Sequence, residues 1–289
     1  MNEDPFITHR GLLFTVAYEM LGSAADAEDV VQEAWLRWAS VDHAEVRHPW
    51  AYLLRMVTRQ ALNRLRTLSR RREDYTGPWL PEPVLTSPDI AHDVELAESV
   101  SVAMLTVLET LRPEERATFV LREVFDTPYD EIGRILDKSP ATVRQIAHRA
   151  RKHVAARRPR MDVSTSEQRA AIERFLAAAQ NGDVQALLEV LAPDVVAIAD
   201  SGGTVSAIRK PVTGSEQVAT LIAALFQAAP DAHGEITWIN GAPAVRIDLD
   251  GQLHAAISLV IADGRISHIY AVNNPDKLAR LVDPTPLAR

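Results

Sequence analysis

The hydrophobic period of this chain changes near Gly234, and that change constrains the fold more than any other feature of the sequence. Before it, most apolar residues recur every three or four positions; after it, they alternate with polar ones. The alternating runs are separated by the dipeptides Asn240–Gly241, Asp250–Gly251 and Asp263–Gly264. Asx-Gly pairs in this position are typical of two-residue hairpin turns. Together with the helical patterns ahead of them, the runs predict that residues 167–289 form an α+β cone with a curved antiparallel sheet.

Two helical domains and a linker are predicted ahead of the cone. Amphipathic patterns cover residues 1–73 and 94–158. Between them, residues 74–93 carry four prolines and a glycine, which excludes a regular helix and is typical of an extended linker. The pair Trp79–Leu80 is too apolar for a spacer, so we expect it to dock on another part of the chain. Residues 159–166 are predicted to be a hinge.

The stretch Thr127–Val154 contains two short helical patterns separated by a turn. Ser139 stands where an N-cap belongs and Pro140 at the first helical position, so the second helix is expected to begin sharply. One face of that helix is apolar, and the other is basic and polar. This layout is typical of a helix-turn-helix whose second helix enters the major groove of DNA. The alternative is an ordinary helical hairpin with a solvated basic face.

The formal net charge of -8 does not exclude a nucleic-acid partner, because the charge is unevenly distributed. Basic residues crowd into 64–72 and 144–160, whereas acids dominate 26–33 and 89–98. Local patches decide where DNA can bind. The chain has no cysteine, which excludes disulfides, thiolate zinc sites and cysteine nucleophiles, and no run approaches the ~20 apolar residues of a membrane span. We expect a cytoplasmic protein without a signal peptide, a metal or a cofactor.

Two further helices carry candidate binding residues. In the acidic helix predicted from Ala24 to Ala39, Asp29 and Glu33 share a face that would suit docking on a partner. In the helix after Pro49, aromatic and cationic side chains lie on one element, where rings can stack on unpaired bases and cations can hold phosphates. The alternative for the aromatic residues, Trp50 above all, is a role as core anchors.

Three segments of the helical part resemble an extracytoplasmic-function (ECF) sigma factor of bacterial RNA polymerase: DAEDVVQEAW at 26–35, HPWAYLLRMVTRQALNRLR at 48–66 and LRPEERATFVLREVFDTPYDEIGRILDKSPATVRQIAHRARKHV at 111–154. The C-terminal part resembles the SnoaL-like branch of the NTF2-like superfamily. Three short motifs are similar to those of the sigma factors with such an extension, often called the ECF41 or SigJ-like group: WLPEP at 79–83, DSGGTV at 200–205 and NPDKL at 274–278.

The resemblance implies that sigma region 2 lies in residues 1–73 and sigma region 4 in residues 94–158, with core RNA polymerase and promoter DNA as partners. The implied polymerase-docking residues are Asp29, Gln32, Glu33 and Trp35. The residues implied to melt and hold the -10 element are Trp50, Tyr52, Arg55, Arg59, Asn63 and Arg66. Those implied to read the -35 element are Ala141, Thr142, Arg144, Gln145, His148 and Arg149.

The three short motifs imply control in cis, with the C-terminal domain holding the two DNA-binding domains closed until polymerase or a ligand shifts the equilibrium. The implied interdomain residues are Trp79, Leu80, Pro81, Glu82, Pro83, Asp200, Gly202, Gly203, Asn274, Pro275, Asp276, Lys277 and Leu278. Ser201 stands where the family pattern usually shows a glycine, so the loop is expected to be less free at that position.

The main prediction is a sigma factor that is not an enzyme. Two other functions are also compatible with the sequence. The cone would keep acid-base catalysis if carboxylates or histidines faced its pocket, and the candidates are Asp200, Asp248, His254 and His268. The whole chain would instead be a ligand-responsive one-component DNA-binding regulator if the acidic helix did not bind polymerase. An unknown small ligand in the pocket is compatible with each of these functions.

Overall fold

The computed structural model describes residues 4–73, 75–159, 163–203 and 210–289, except for the side chains of 69–73 and of His92. Some sequence predictions therefore fall outside the described residues. They concern Thr204 and Val205 of the DSGGTV motif, residues 160–162 of the hinge, and the side chains of the basic run that ends at Arg72.

The N-terminal helical domain contains α1 (Pro5–Leu21), α2 (Ala24–Trp38) and α3 (Pro49–Glu73), with a 3₁₀ turn at His43–Glu45 before α3. Gly22 ends α1 in the left-handed region, with a φ of 65°. Ser23 then caps α2 by accepting a hydrogen bond from the backbone N–H of Asp26. No helix in the described ranges is long and apolar enough to cross a membrane.

The second helical domain contains α4 (Val94–Ser99), α5 (Val102–Leu108), α6 (Pro113–Phe119), α7 (Tyr129–Leu136) and α8 (Pro140–Ala155). Hydrophobic periodicity predicts one helix over residues 94–111, and that prediction is wrong. Ser101 starts a new helix there, because its hydroxyl accepts a hydrogen bond from the backbone N–H of Met104 and caps α5. α6 continues into a π-helical turn at Val120–Val124.

The linker is extended over most of its length and ends in a 3₁₀ turn at Pro88–His92. The prediction of an extended linker over residues 74–93 is therefore wrong at its C-terminal end, where Pro88 starts a short helical turn that does not need its missing N–H. Leu80 is fully buried and Trp79 is half-buried. The prediction that this pair docks on the rest of the chain is confirmed.

The C-terminal domain packs helices on one sheet. Its elements are α9 (Thr165–Gln180), α10 (Val184–Val190), β1 (Leu191–Asp200), β2 (Val212–Thr213), α11 (Ser215–Ala228), β3 (His233–Ile239), β4 (Ala242–Leu249), β5 (Gln252–Ala262), β6 (Arg265–Val272) and α12 (Pro275–Leu278). α9 begins two residues before the predicted start of this domain, since Ser164 and Glu167 form a capping box.

The strands described lie in the order β2-β1-β6-β5-β4-β3. β3 to β6 form the predicted meander, and Asn240, Asp250 and Asp263 have φ values of 53°, 52° and 51°, as the hairpin turns require. The predicted fold class is confirmed, and the sheet as a whole is mixed, because β1 pairs with β6 in parallel. The meander starts at the far edge of the sheet, so its fourth strand lies beside β1.

Three apolar clusters hold these elements together. The two helical domains share one core, in which Tyr18, Leu53 and Val120 are fully buried. A second core lies between α9 to α11 and one face of the sheet. A third lies on the opposite face, where Leu80 of the linker and Val102 of α5 pack against β3 to β6. The sheet of the C-terminal domain therefore has apolar contacts on both faces.

Candidate nucleic-acid interface and interdomain junction

Helix α8 divides cleanly into a buried and an exposed face. The apolar residues Val143, Ile146, Ala147 and Ala150 are buried. The six residues predicted to read the -35 element are all exposed: Ala141, Thr142, Arg144, Gln145, His148 and Arg149. Apolar residues spaced three and four positions apart lie on one face of an α-helix, and the polar residues between them lie on the other. The second helix of the helix-turn-helix thus presents its polar face to solvent.

The turn between α7 and α8 is tight. A Cβ atom on Gly133 would lie 2.6 Å from the carbonyl oxygen of Lys138. Asp137 ends α7 in the left-handed region with a φ of 57°, and Ser139 Oγ accepts a hydrogen bond of 3.2 Å from the N–H of Thr142. These contacts set the angle at which α8 projects.

The cations on the exposed face of α8 have weak partners in this arrangement. Arg149 Nε lies 3.4 Å from Glu115 Oε1, and the Arg144 guanidinium carbon lies 5.7 Å from the centre of the Tyr129 ring. An exposed ion pair contributes only about 0–1 kcal/mol. A phosphate or a guanine edge can therefore replace these partners at little cost.

The predicted docking surface lies on α2. Asp29, Gln32, Glu33 and Trp35 are all exposed, and the Trp35 ring centre lies 5.0 Å from that of Phe6. Asp29 Oδ2 is 2.9 Å from Arg64 Nη2 of α3, and Glu33 Oε2 accepts a hydrogen bond of 3.5 Å from Gln60 Nε2, so both acids already have a partner within their own domain. The surface combines carboxylates with an exposed aromatic ring.

Helix α3 places the residues predicted to bind the -10 element in two settings. Tyr52, Arg55, Arg59 and Asn63 line a groove of about 740 Å³ between α2 and α3. Trp50 lies outside this groove, half-buried, with its ring centre 4.9 Å from that of His9. The structure therefore brings four of the six predicted residues together, while Trp50 and Arg66 lie apart from them.

Two cations of α3 contact the second helical domain, which the sequence did not indicate. Arg59 donates hydrogen bonds of 3.0 Å to the carbonyl oxygens of Ile135 and Arg134 on α7. Arg66 Nη2 lies 3.4 Å from Glu114 Oε1 on α6. Part of the surface predicted for the -10 element is thus in contact with the helix-turn-helix domain.

Asp200, at the end of β1, joins the linker to the C-terminal domain. Its carboxylate is fully buried and accepts hydrogen bonds from the N–H of Leu80 at 2.8 Å, from Lys277 Nζ at 2.7 Å and from the Tyr75 hydroxyl. Its carbonyl oxygen accepts from the N–H groups of Asn273 and Asn274. Residues from all three short motifs therefore meet at the Asp200 side chain.

Lys277 completes this junction. Its ammonium group also donates to the carbonyl oxygen of Leu80, and Nζ lies 3.2 Å from the centre of the Trp79 ring. Burial raises the pKa of Tyr75, and the hydrogen bond to Asp200 raises it further, so the phenol stays protonated and donates to the carboxylate. The buried charge pair is therefore satisfied on both sides.

The other predicted interdomain residues are more varied. Pro81, Pro83 and Leu278 are buried, whereas Pro275 and Asp276 are exposed. Gly202 and Gly203 have φ values of 61° and 75°, and a Cβ on Gly202 would lie 2.8 Å from Asn274 Nδ2. Ser201 does not have a positive φ, so the serine in place of a glycine causes no backbone strain.

Glu82 of the linker caps α2 from outside that helix. Its carboxylate accepts hydrogen bonds from Ser23 Oγ at 3.0 Å and from the N–H of Ala25 at 3.2 Å. Burial raises the pKa of Glu82. The linker thus binds the N-terminal helical domain as well as the C-terminal domain.

Asn240 makes interdomain contacts that sequence reasoning missed, because its Asn-Gly pair was explained by a hairpin turn alone. Its side chain is buried and contacts three parts of the chain. Nδ2 donates to the Tyr18 hydroxyl and to the carbonyl oxygen of Val100, each at 2.7 Å, and Oδ1 accepts from the N–H of Val84. The turn between β3 and β4 therefore lies where both helical domains and the linker meet.

Buried charge also lies between the two helical domains. Glu19 of α1 accepts a hydrogen bond of 2.7 Å from Ser99 Oγ, and burial raises its pKa to about 8. Arg116 of α6 donates to the carbonyl oxygen of Glu19 at 2.8 Å and pairs with Glu109 at 2.7 Å. No sequence pattern indicated this cluster, because its members lie far apart along the chain.

The four acid-base candidates of the C-terminal domain do not converge. Asp200 is bound to Lys277, and Asp248 is paired with Arg246 at 2.7 Å. His268 stacks beside Tyr270, and burial lowers its pKa. Of the four, only His254 lines the apolar cavity of the domain. Within the described part of the chain, no three His, Asp or Glu side chains are grouped as a metal ion would require.

Comparison with protein-family models assigns each part of the chain to a known class. Residues 6–71 match Sigma-70 region 2, residues 101–154 match Sigma-70 region 4, and residues 172–269 match the SnoaL-like domain. The helix-turn-helix of α7 and α8 thus lies within the region 4 match. A chain with both sigma regions in this order is a sigma factor of RNA polymerase.

Full-length relatives narrow this class. The ECF RNA polymerase sigma factor SigJ of Mycobacterium tuberculosis is 37% identical over 294 residues, which cover 96% of this chain and 93% of the relative. A probable ECF sigma factor of the same organism, SigI, is 31% identical over 280 residues, with 93% and 92% covered. The crystal structure of SigJ from that organism matches with a TM-score of 0.78 and 34% identity, covering 96% of this chain and 98% of the other. The chain belongs to the ECF sigma factors of RNA polymerase, in the form that carries a C-terminal SnoaL-like domain.

Proposed function

We propose that this ECF sigma factor is held in a closed arrangement by its own SnoaL-like domain, which acts through the linker between the two sigma regions. The observation that carries the proposal is the junction at Asp200, where the buried carboxylate binds the linker backbone at Leu80 and the ammonium group of Lys277. A linker held in this way has a fixed path, and it cannot follow the two helical domains if they move apart.

The proposed roles of the exposed surfaces follow from their position and chemistry. Asp29, Gln32, Glu33 and Trp35 on α2 dock on core RNA polymerase, and the α3 groove with Tyr52, Arg55 and Asn63 holds unpaired bases of the -10 element. The exposed face of α8 reads the -35 element in the major groove.

Arg59 supports the closed arrangement. It has the place on α3 from which it would contact the -10 element, but it donates two hydrogen bonds to backbone carbonyls of α7. Contact with DNA requires that these bonds break. Polymerase would supply the required free energy if it binds the separated helical domains better than the packed ones.

Promoter-directed transcription by reconstituted polymerase tests control by the C-terminal domain. We expect higher transcription from a chain truncated after Arg160, which lacks the whole domain, and from one truncated after Leu278, than from the full chain. The Val282→Ala variant, altered at a side chain that is 71% exposed, serves as the control and should match the full chain. Unchanged transcription by both truncated chains would contradict control in cis.

Binding to core RNA polymerase separates this proposal from a one-component regulator. We expect the full chain to co-elute with core polymerase, and the Asp29→Ala/Glu33→Ala variant to bind more weakly. The Glu173→Ala variant, changed at an exposed acid of α9, should bind like the unaltered chain. A chain that bound promoter DNA alone but not core polymerase would refute the proposed mode of action.

A further inference from the structure

A carboxyl group is buried between the two helical domains. Glu19 of α1 is fully buried, and two polar residues that contact it, Ser99 and Arg116, belong to α4 and α6 of the second helical domain. Glu19 Oε1 lies 2.7 Å from Ser99 Oγ, and Arg116 Nε donates to the backbone carbonyl oxygen of Glu19. Within the described ranges, Oε2 has no hydrogen-bond partner. A buried oxygen without a partner disfavours the ionised form of the carboxyl group.

The contacts of Ser99 favour a protonated Glu19. The Ser99 hydroxyl lies 2.7 Å from Glu19 Oε1 and 3.0 Å from the carbonyl oxygen of Leu96. It has a single hydrogen, so it donates to only one of these two oxygens at a time. A carboxylic acid at Glu19 supplies a second hydrogen, and both contacts are then hydrogen bonds at once. Burial favours the same form, since it raises the pKa of Glu19 to about 8.

The charged groups around Glu19 do not require it to be ionised. Arg116 Nη1 pairs with Glu109 at 2.7 Å, so its charge is balanced within the second helical domain. Tyr18, beside Glu19 on α1, donates from its hydroxyl to the backbone carbonyl oxygen of Glu82 in the linker. Burial raises the pKa of Tyr18 and of Glu82, and it lowers the pKa of Arg116 to about 9. Below about pH 8, Tyr18 is therefore neutral and Arg116 is charged.

We propose that Glu19 couples the separation of the two helical domains to the release of one proton, so that rising pH favours the open chain. The consequence for polymerase binding rests on the proposed opening of the closed arrangement. When α1 separates from α4 and α6, the carboxyl group reaches water and its pKa returns toward the ordinary 4.5, whereas in the packed chain it is about 8. Between these two pH values, each pH unit should raise the ratio of open to closed chains about tenfold.

Infrared difference spectroscopy tests the proton in the free full chain. At about pH 6.5, the chain should show the C=O band of a protonated carboxyl group that the Glu19→Gln variant lacks. Glutamine is a neutral side chain of the same shape as the protonated acid, so we expect this variant to keep the packed arrangement. The Glu173→Gln variant, changed at an exposed acid of α9, should keep the band. Absence of the band from the unaltered chain would overturn the proposal.

Binding to core RNA polymerase tests the coupling to domain separation. The dissociation constants of the unaltered chain and of Glu19→Gln are measured at several pH values, and their ratio removes the titration of polymerase itself. Relative to the variant, the unaltered chain should gain affinity by up to about tenfold per pH unit between about pH 6 and pH 8. The affinity of Glu173→Gln should keep a constant ratio to that of the unaltered chain.

The outcome is separable from that of the proposed control in cis. An affinity ratio between Glu19→Gln and the unaltered chain that does not change with pH would overturn the coupling. Failure of control in cis shows instead as unchanged transcription by the two truncated chains, both of which retain Glu19. The infrared band depends on neither polymerase nor transcription.

Discussion

Asp200 and Lys277 form a charge pair with almost no access to solvent: the side chains are 0% and 8% exposed. Desolvation of both charges is costly, and only the complete set of partners offsets it. The Asp200 carboxylate accepts hydrogen bonds from the Leu80 N–H, the Tyr75 hydroxyl and the Lys277 ammonium group. Removal of one of the two charges should therefore lower the free energy of unfolding by more than the intact pair contributes to it.

The Lys277→Met variant should be destabilised by about 3–5 kcal/mol, because it leaves the Asp200 carboxylate buried without its counter-charge. The double variant Asp200→Asn/Lys277→Met should be less unstable than the sum of the two single changes. Denaturant unfolding measures both. Asp276→Asn, altered at an exposed carboxylate of the same motif, should stay within about 0.5 kcal/mol of the unaltered chain. Additive effects of the two single changes would contradict the coupling.

Glu19 gives the stability of the packed helical domains a pH dependence. Burial raises its pKa from 4.5 to about 8, so the folded state binds the proton more tightly than the unfolded state. The stability that this proton contributes is fully present below about pH 4.5 and is lost as the pH rises through about 8. Arg116 beside it remains charged and paired with Glu109.

The side chain at position 19 cannot ionise in the Glu19→Gln variant. Between pH 5 and pH 8, the free energy of unfolding should therefore fall less in this variant than in the unaltered chain. The expected difference between the two decreases is up to about 4 kcal/mol, at 1.36 kcal/mol per pKa unit. Denaturant unfolding at a series of pH values gives this difference. Titratable groups that do not interact with Glu19 are common to both proteins and cancel in the comparison. Burial lowers the pKa of the neighbouring Arg116 to about 9, so in the unaltered chain Arg116 titrates above this range. Parallel stability profiles of the two proteins would show that Glu19 does not titrate in this range.

At the scale of elements, two helical glycines lie in opposite surroundings. In α7, a Cβ on Gly133 would lie 2.6 Å from the carbonyl oxygen of Lys138 in the turn of the helix-turn-helix. In α1, a Cβ on Gly11 would meet its nearest atoms, in Pro286 and Ala288, at 3.5 and 3.6 Å, which is ordinary contact. Replacement of glycine by alanine is therefore expected to change the stability in opposite directions at the two sites.

Gly11→Ala should stabilise the chain by about 0.5–1 kcal/mol, the usual gain of alanine over glycine in a helix. Gly133→Ala should destabilise it by about 1–3 kcal/mol, because the turn must shift to make room for the methyl group. Thermal and denaturant unfolding measure both effects. Stabilisation by Gly133→Ala would mean that the α7–α8 turn is not as tight as its geometry indicates.

At the scale of the whole molecule, the C-terminal tail ties the SnoaL-like domain back to α1. The N–H of Thr285 donates to the carbonyl oxygen of Leu85, and that of Ala288 donates to Thr15 Oγ1 at 3.0 Å. Leu287 lies in the core shared by the two helical domains, and Arg289 pairs with Asp93 and Glu95. The tail thus contacts the N-terminal domain, the linker and α4.

Leu287→Ala should cost about 2–5 kcal/mol of unfolding free energy, because it leaves a cavity in the shared core. Val282→Ala in the same tail should change the stability by less than about 0.5 kcal/mol, since that side chain is mostly exposed. Unfolding by denaturant compares the two. Equal, small effects would mean that the tail does not hold the domains together.

The closed arrangement also predicts a change in distance between the helical domains. The chain has no cysteine, so Thr67→Cys on α3 and Lys152→Cys on α8, both at exposed positions, can be labelled specifically. We expect the distance between the two labels to increase when core RNA polymerase is added, as measured by energy transfer. The same labels in the truncated chain ending at Arg160 should report a longer or broader distance without polymerase. An unchanged distance on polymerase binding would contradict the opening.

Local structure and family membership follow from the amino-acid sequence alone. Ser139 and Pro140 start α8, the Asx-Gly pairs close the hairpins, and helical period alone separates the exposed face of α8 from its buried face. These features depend on residues a few positions apart, whose backbone preferences act in the same way in any fold. The three short motifs likewise predicted which segments meet between the domains.

How distant segments meet depends instead on the three-dimensional packing of the chain. Four features join residues that are far apart in the chain. They are the parallel pairing of β1 with β6, the contacts of Asn240 with three segments, the hydrogen bonds from Arg59 to α7, and the burial of Glu19. Nothing in the local sequence distinguishes a turn asparagine from one that also satisfies buried polar groups. That distinction arises when packing removes water from those groups and leaves one side chain within reach of them.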